Sequence, residues 1–155
     1  VKPLILYHAS KQIVEFPEIR KTKYTKDFSW GFYCTNKLEQ AVRWANRGEG
    51  TPIINIYDYT PDDSLSTLTF EQMSDEWLNF IAHCRSGKTH RYDIVEGPMA
   101  NDTVWNYVND FLTGRITRKQ FWVLAEFKSP THQISFHTLA ALDCLTFKES
   151  KEIYV

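Results

Sequence analysis

The sequence predicts an α+β fold made by a single domain that spans residues 1–155. Short apolar runs with strand propensity lie near both ends of the chain, from Leu4 to Tyr7 and from Leu145 onwards, and helical patterns lie between them. Because the order is not a regular alternation of strand and helix, a doubly wound parallel sheet is disfavoured. A chain of 155 residues that is 43% hydrophobic and 15% aromatic suffices for one ordered core.

The first predicted strand, Leu4 to Tyr7, ends in a turn at His8, Ala9 and Ser10. The small side chains of Ala9 and Ser10 would let a ligand approach the backbone closely beside His8. A histidine that only caps the turn is the alternative interpretation.

Four basic side chains lie close together in the polar segment that follows, at Arg20, Lys21, Lys23 and Lys26. Such a cluster is usually a solvated loop. It is also what a diphosphate would need if the loop folded over a nucleotide.

The stretch from Phe28 to Ala45 predicts a strand that leads directly into a helix. Gly31 to Cys34 is an aromatic run with strand propensity, Thr35 or Asn36 can cap the helix, and apolar spacing continues to Ala45. Tyr33 and Trp44 could then form two aromatic walls around a flat ligand. Both could equally be core residues, which is the commoner fate of large aromatic side chains.

The remaining elements follow from apolar spacing and from capping residues. Strands are predicted at Pro52 to Tyr59, Ser64 to Phe70, Tyr92 to Val95, Gln133 to Phe136, Leu145 to Phe147 and Ile153 to Val155, and helices after Ser74, after Asn101 or Asp102, after Thr117 and at Leu139. No repeat, G-x-G-x-x-G motif or P-loop is present in the sequence.

Composition excludes several classes of protein. The net charge of −1 does not indicate a nucleic-acid or membrane surface. Three widely spaced cysteines, Cys34, Cys84 and Cys144, argue against a disulfide framework and have no metal-ligand spacing, so we expect no metal. No signal peptide and no membrane span is visible, and we expect a cytoplasmic location.

Other single residues are weaker candidates for chemistry. Cys34 has no histidine beside it in sequence and is interpreted as a structural cysteine. Glu96 stands at a strand end, where sites often form, although a surface glutamate is the better interpretation. His137 could face the same cleft or cap the helix that follows it.

Taken in order, these motifs resemble the ADP-ribosyltransferase superfamily of diphtheria toxin and the poly(ADP-ribose) polymerases. The stretch G-F-Y-C-T at Gly31 to Thr35 resembles the toxin's G-F-Y-S-T, and Trp44 takes the place of the second stacking tyrosine. The chain also resembles a family of small bacterial proteins over nearly its whole length. The shared motifs are Leu6 to Ser10, Gly31 to Thr35, Tyr92 to Pro98 and Phe136 to Thr138.

The resemblance implies a split β-sheet with inserted helices and a site for NAD. It implies that the Ala9 backbone binds the nicotinamide amide, that His8 hydrogen-bonds a ribose, and that Tyr33 and Trp44 sandwich the nicotinamide ring. The motif residues Ser10 and Thr35 would belong to the same site, and Arg20 and Lys21 in the basic loop are the candidates for the diphosphate.

The sequence departs from this family at the catalytic carboxylate. Alignment on the late strand places Gln133 where glutamate usually stands, and a shift of two residues would place Ser135 there. A neutral glutamine accepts the same hydrogen bond but offers no negative charge to an oxocarbenium-like transition state. Glu96 or Glu126 could supply that charge from elsewhere.

We therefore expect a mono-ADP-ribosyltransferase with Gln133, Tyr33 and His8 at its reaction centre. It would transfer ADP-ribose from NAD to a macromolecular acceptor, as a bacterial toxin or effector with a neutralising antitoxin partner. The alternative is a catalytically silent module that binds NAD or ADP-ribose and acts through a protein partner.

Overall fold

A computed structural model describes residues 4–21, 26–100, 102–125 and 131–155. These residues form helices and two sheets in a mixed order, so the predicted α+β class is confirmed. The elements in chain order are β1 (Leu4–Ser10), β2 (Phe32–Cys34), α1 (Leu38–Ala45), β3 (Ile53–Tyr59), β4 (Thr67–Thr69), α2 (Asp75–Arg85), β5 (Ile94–Gly97), α3 (Asp102–Leu112), α4 (Arg118–Ala125), β6 (Gln133–Phe136), α5 (Leu139–Leu142) and β7 (Leu145–Glu152).

The strands form two separate sheets. The first is antiparallel with the order β1-β3-β7, and the second has the order β2-β6-β5-β4 with β4 and β5 parallel. An isolated antiparallel pair connects β1 to the residue after β2. In it the Tyr7 N–H donates to the Thr35 carbonyl at 2.8 Å, and the Thr35 N–H donates to the Tyr7 carbonyl at 2.9 Å.

Alternate residues of a strand point to opposite faces of its sheet. One face of each sheet contributes to a shared apolar cluster. Leu6 and Tyr57 of the first sheet belong to this cluster, as do Ile134 and Phe136 of the second. On the other face of the first sheet, Ala41 and Ala45 of α1 pack with Ile54 and Ile56 of β3.

Helices α2, α3 and α4 pack on the other face of the second sheet. Trp77, Ile81, Val104 and Phe121 are fully or almost fully buried there with Val95. The capping residues predicted for α2 and α4 act as expected. The Ser74 hydroxyl accepts from the Trp77 N–H at 3.2 Å, and the Gln120 N–H donates to the Thr117 hydroxyl at 3.1 Å.

The structure corrects the predicted bounds of several elements. His8, Ala9 and Ser10 do not form a turn but complete β1, because they continue its pairing with β3. Helix α1 is preceded by Lys37, not by Thr35 or Asn36, although the Thr35 hydroxyl accepts from the Lys37 N–H at 3.1 Å. The last strand is β7, which runs on to Glu152, and residues 153–155 are not a strand.

Across the described ranges, no helix has the length and apolar character needed to cross a lipid bilayer.

Candidate functional site

Strands β1 and β2 diverge next to the pair between Tyr7 and Thr35. In an antiparallel ladder this pair would be followed by one between Ala9 and Tyr33, but the described strands do not form it. A cavity of about 460 Å³, here called the central cavity, lies at this gap. It is lined by Ala9, Ser10, Lys26, Asp27, Tyr33, Trp44, Arg85, Ala100 and Gln133, among others.

The backbone of Ala9 faces the central cavity. Tyr7 directs its N–H and C=O toward Thr35, and residues two apart in an extended strand direct these groups to the same side. Ala9 therefore presents one donor and one acceptor where β2 has moved away. The sequence placed Ala9 in a turn, whereas the strand conformation accounts for this orientation.

A second cavity of about 530 Å³, here called the outer cavity, adjoins the first. The two cavities share Ser10, Lys26 and Tyr33. The residues that line only the outer cavity include His8, Val14, Phe16, Arg20 and Trp30.

Buried Asn55 of β3 fixes the loop that borders the outer cavity. Its amide nitrogen donates to the Gln12 carbonyl at 3.1 Å, and its carbonyl oxygen accepts from the Val14 N–H at 2.9 Å. The Tyr57 hydroxyl also donates to the Val14 carbonyl. This loop is therefore held in place by polar groups that an apolar strand pattern gave no reason to single out.

His8 is neutral and directed by one hydrogen bond. Desolvation lowers its pKa to about 4, so at neutral pH the ring carries one proton. Its Nδ1 lies 2.7 Å from the Tyr33 carbonyl, which can only accept, so the proton is on Nδ1 and Nε2 is an acceptor. The ring also stacks on Phe32, with centroids 4.1 Å apart.

Tyr33 is anchored through its hydroxyl. The hydroxyl donates to the Ser29 carbonyl at 2.6 Å and accepts from the Phe28 N–H at 3.0 Å, and burial raises its pKa well above the usual value. The phenol is thus unsuited to proton transfer at neutral pH. The Lys26 ammonium lies 5.0 Å from the ring centroid, so the aromatic ring is the part of Tyr33 that meets a cation.

The segment from Phe28 to Trp30 is clamped by side chains at three consecutive carbonyls. A tyrosine and two histidines bind these oxygens, and Ser29 has a φ of 75°. The pairs are Phe28 with His90 at 2.8 Å, Ser29 with Tyr33 at 2.6 Å and Trp30 with His137 at 2.8 Å. His137 therefore fixes a wall of the outer cavity, and the sequence alternatives of facing the cleft or capping α5 miss this role.

Asp27 is one of the residues of the central cavity, with Arg85 and Ala100, that the sequence did not single out. It is 4% exposed, and its Oδ1 accepts from Arg85 Nε at 2.9 Å and from Arg85 Nη2 at 2.6 Å. The Arg85 guanidinium also lies 3.9 Å from the centroid of the Trp105 ring. No local sequence signal identifies Asp27, because Arg85 lies 58 residues away along the chain.

Gln133 lies in the central cavity, and Ser135, the other alignment, does not line it. Gln133 is 4% exposed and its Nε2 donates to Asp27 Oδ2 at 3.0 Å. Ser135 is fully buried, with its hydroxyl 2.7 Å from His137 Nε2 and 3.1 Å from the Val95 carbonyl. Of the two late-strand candidates, Gln133 is the one that a ligand can reach.

Several predicted site residues lie elsewhere. Thr35 is fully buried and bonds to the Lys37 N–H, outside the lining of both cavities. Lys21 also lies outside both linings, with its ammonium 5.7 Å from the Trp30 centroid. Glu96 accepts from His132 Nε2 at 2.7 Å and lines neither cavity. Lys23 and Glu126 lie outside the described residues.

The three cysteines are free thiols in buried positions. Burial raises the pKa of Cys84 to about 12 and raises that of Cys34 further, so neither is a thiolate nucleophile. Within the described part of the chain, no group of three or more His, Cys, Asp or Glu side chains could hold a metal ion.

The fold and these contacts define an α+β domain with two adjoining cavities at the divergence of its sheets. The chain belongs to the protein family described as "Protein of unknown function (DUF3990)", whose pattern matches residues 4–147. No curated protein and no solved structure shows a significant match to the chain.

Proposed function

We propose that the protein binds NAD across the two cavities and acts as a mono-ADP-ribosyltransferase. The observation that carries this proposal is the meeting of Ala9, Tyr33, Trp44 and Gln133 around one cavity, although they come from four separate elements. The three residues that the resemblance assigns to nicotinamide, Ala9, Tyr33 and Trp44, thus line the same cavity.

The central cavity suits nicotinamide for a chemical reason. A carboxamide has one acceptor oxygen and a donor NH₂ group, and the Ala9 backbone offers the complementary N–H and C=O. Tyr33 and Trp44 offer aromatic surface for the flat ring. Both cavities have volumes typical of small-molecule sites, which are about 300–1,000 Å³.

The outer cavity suits the remainder of the dinucleotide. His8 Nε2 is an acceptor for a ribose hydroxyl, and Trp30 offers a surface for a base. Lys26 borders both cavities, so its ammonium is the better candidate for the diphosphate that would join them. Arg20 lines the outer cavity but pairs with Glu18 at 3.3 Å.

In the proposed reaction the bond between C1′ of the nicotinamide ribose and the ring nitrogen breaks. Nicotinamide leaves as a neutral molecule with the bonding electron pair, and C1′ forms a bond to a nucleophile of the acceptor, which loses a proton. Gln133 would accept a hydrogen bond from a ribose hydroxyl as positive charge develops at C1′.

The neutral amide of Gln133 also favours a second function, a module that binds NAD or ADP-ribose without turnover. A carboxylate stabilises an oxocarbenium-like transition state better than an amide does, whereas both can hold the ground state. The expected toxin or effector role, with an antitoxin partner, belongs to the first function.

The test is to measure NAD binding by calorimetry and nicotinamide release with a lysate of candidate acceptors. Trp44→Ala should weaken NAD binding, whereas Trp122→Ala, at a tryptophan that lines neither cavity and bonds to Asp75, should leave it unchanged. Release of nicotinamide supports the enzyme. Binding without release supports the binding module and refutes the enzyme. Absence of binding refutes both functions.

A further inference from the structure

The carboxylate of Asp27 is buried beside the central cavity, and both of its oxygens accept hydrogen bonds. Oδ1 accepts two hydrogen bonds from Arg85. Oδ2 accepts from the Ala100 N–H at 2.7 Å and from Gln133 Nε2 at 3.0 Å. This single side chain therefore connects the Asp27 loop to α2, to the segment after β5 and to β6.

These contacts determine which way the Gln133 amide faces. Its Nε2 points at two acceptors, Asp27 Oδ2 and, at 3.5 Å, the Pro98 carbonyl. A flipped amide would place an oxygen against both of them, which is repulsive. Oε1 consequently points away from Asp27, as a fixed acceptor.

We propose that Asp27 is a positioning residue that holds the Gln133 amide with its oxygen available to a ribose hydroxyl, and that the buried negative charge of this site resides at Asp27 instead of at position 133. The inference rests on the proposed function for its ligand, and on the contacts above for the geometry.

A consequence follows for the substitution that would restore the usual glutamate. Gln133→Glu would place a second carboxylate at the position that now lies 3.0 Å from Asp27 Oδ2. Two buried carboxylates at that distance cannot both ionise, so one must take up a proton. Arg85 already bonds to Asp27. We therefore expect Gln133→Glu alone to destabilise the protein and not to raise NAD cleavage.

The test is a double-mutant cycle in the full chain, with Asp27→Asn, Gln133→Glu and the two combined. Each single substitution should lower the melting temperature by roughly 5–10 °C. The combined variant should melt above the value expected from adding the two shifts, because an amide then faces the new carboxylate. Asp75→Asn combined with Gln133→Glu is the matched control, since exposed Asp75 binds Arg118 and Trp122, and its shifts should add.

Two further readouts separate positioning from packing. The difference in melting temperature between Gln133→Glu and the wild type should become smaller as the pH is lowered, because the carboxylate pair then gains its proton. Asp27→Asn should lower NAD affinity by roughly tenfold, the effect of one lost hydrogen bond of about 1.4 kcal/mol. Additive melting shifts, or unchanged NAD affinity in Asp27→Asn, would overturn the inference. If the wild type does not bind NAD, the proposed function fails and the ligand role of Asp27 fails with it, while the melting cycle still decides the pairing.

Discussion

The Tyr33 hydroxyl donates to the Ser29 carbonyl at 2.6 Å and closes the chain back on itself four residues upstream. This contact joins the aromatic ring of the central cavity to the turn at Ser29, the residue with a positive φ. The same hydroxyl accepts from the Phe28 N–H. The ring that we assign to nicotinamide is therefore oriented by backbone groups and not by the ligand.

Tyr33→Phe tests this anchoring. The variant keeps the ring but leaves the buried Phe28 N–H without its acceptor, so the free energy of unfolding should fall by about 1–3 kcal/mol. NAD affinity should fall less than in Tyr33→Ala, which removes the ring as well. Urea denaturation and calorimetry measure the two effects. Equal losses of affinity in both variants would contradict a role for the aromatic surface.

Stability should fall with acidity between about pH 6.5 and pH 4. Burial lowers the pKa of His8 and of His137 to about 4 and also lowers that of His90. The unfolded chain binds protons on these rings below about pH 6.5, whereas in the folded chain His8 and His137 do not bind them until about pH 4, so acid favours unfolding. The loss should be of the order of 1–3 kcal/mol for His8 and for His137.

The pH effect can be assigned with two variants. His137→Gln should reduce the slope of unfolding free energy against pH, because one of the responsible rings is gone. Val123→Ala, at an exposed side chain that carries no titratable group, should leave the slope unchanged. An unaltered slope in His137→Gln would mean that burial of this ring is not a source of the acid sensitivity.

Gly31→Ala should destabilise the fold by about 1–3 kcal/mol through steric overlap. A Cβ at Gly31 would lie 2.8 Å from His137 Nδ1, which is hydrogen-bonded to the Trp30 carbonyl, and 2.9 Å from the Phe136 carbonyl, which belongs to the backbone of β6. Gly87→Ala is the control, since its Cβ meets nothing within 4 Å and only the φ of +93° costs about 1 kcal/mol. Thermal melting compares the two, and a larger loss at Gly87 would argue against the close approach of His137.

Lys26→Ala should weaken NAD binding by roughly tenfold, because it removes the cation shared by both cavities. Lys21→Ala should change the affinity less than about twofold, because Lys21 lines neither cavity. Its charge is exposed, and exposed charges contribute little to binding. Calorimetric titration with NAD at two salt concentrations measures both. Equal effects of the two substitutions would mean that the diphosphate is attracted by the overall positive charge of this region and is not bound by Lys26 in particular.

The sequence predicted the elements better than it predicted their partners. Apolar alternation and capping residues locate β3, β6 and α2 to within a few residues, because these signals are local. The division into two sheets is not local. It depends on pairings such as Tyr7 with Thr35, and no pattern within β1 shows where its pairing with the second sheet stops.

The candidate site shows the same limit. Tyr33, Trp44 and Gln133 could be proposed from motifs, and all three line the central cavity. Asp27 could not be proposed from a motif, because its role depends on its contacts with Arg85 and with Gln133. Gln133 lies 106 residues away along the chain. Conversely Thr35 matches the motif but serves the backbone before α1, a local role that a motif cannot distinguish from ligand binding.

Because β1 and β2 diverge, the backbone pair between Ala9 and Tyr33 that would follow Tyr7 and Thr35 does not form. A carboxamide bound to the Ala9 backbone would make the hydrogen bonds of that missing pair, here called the rung. Occupancy of the cavity would then be coupled to the integrity of the sheet, since a ligand that binds only the folded state stabilises it. Amide hydrogen exchange at the end of β1 should accordingly slow when the rung is filled, which makes the protein's own backbone a reporter of its ligand.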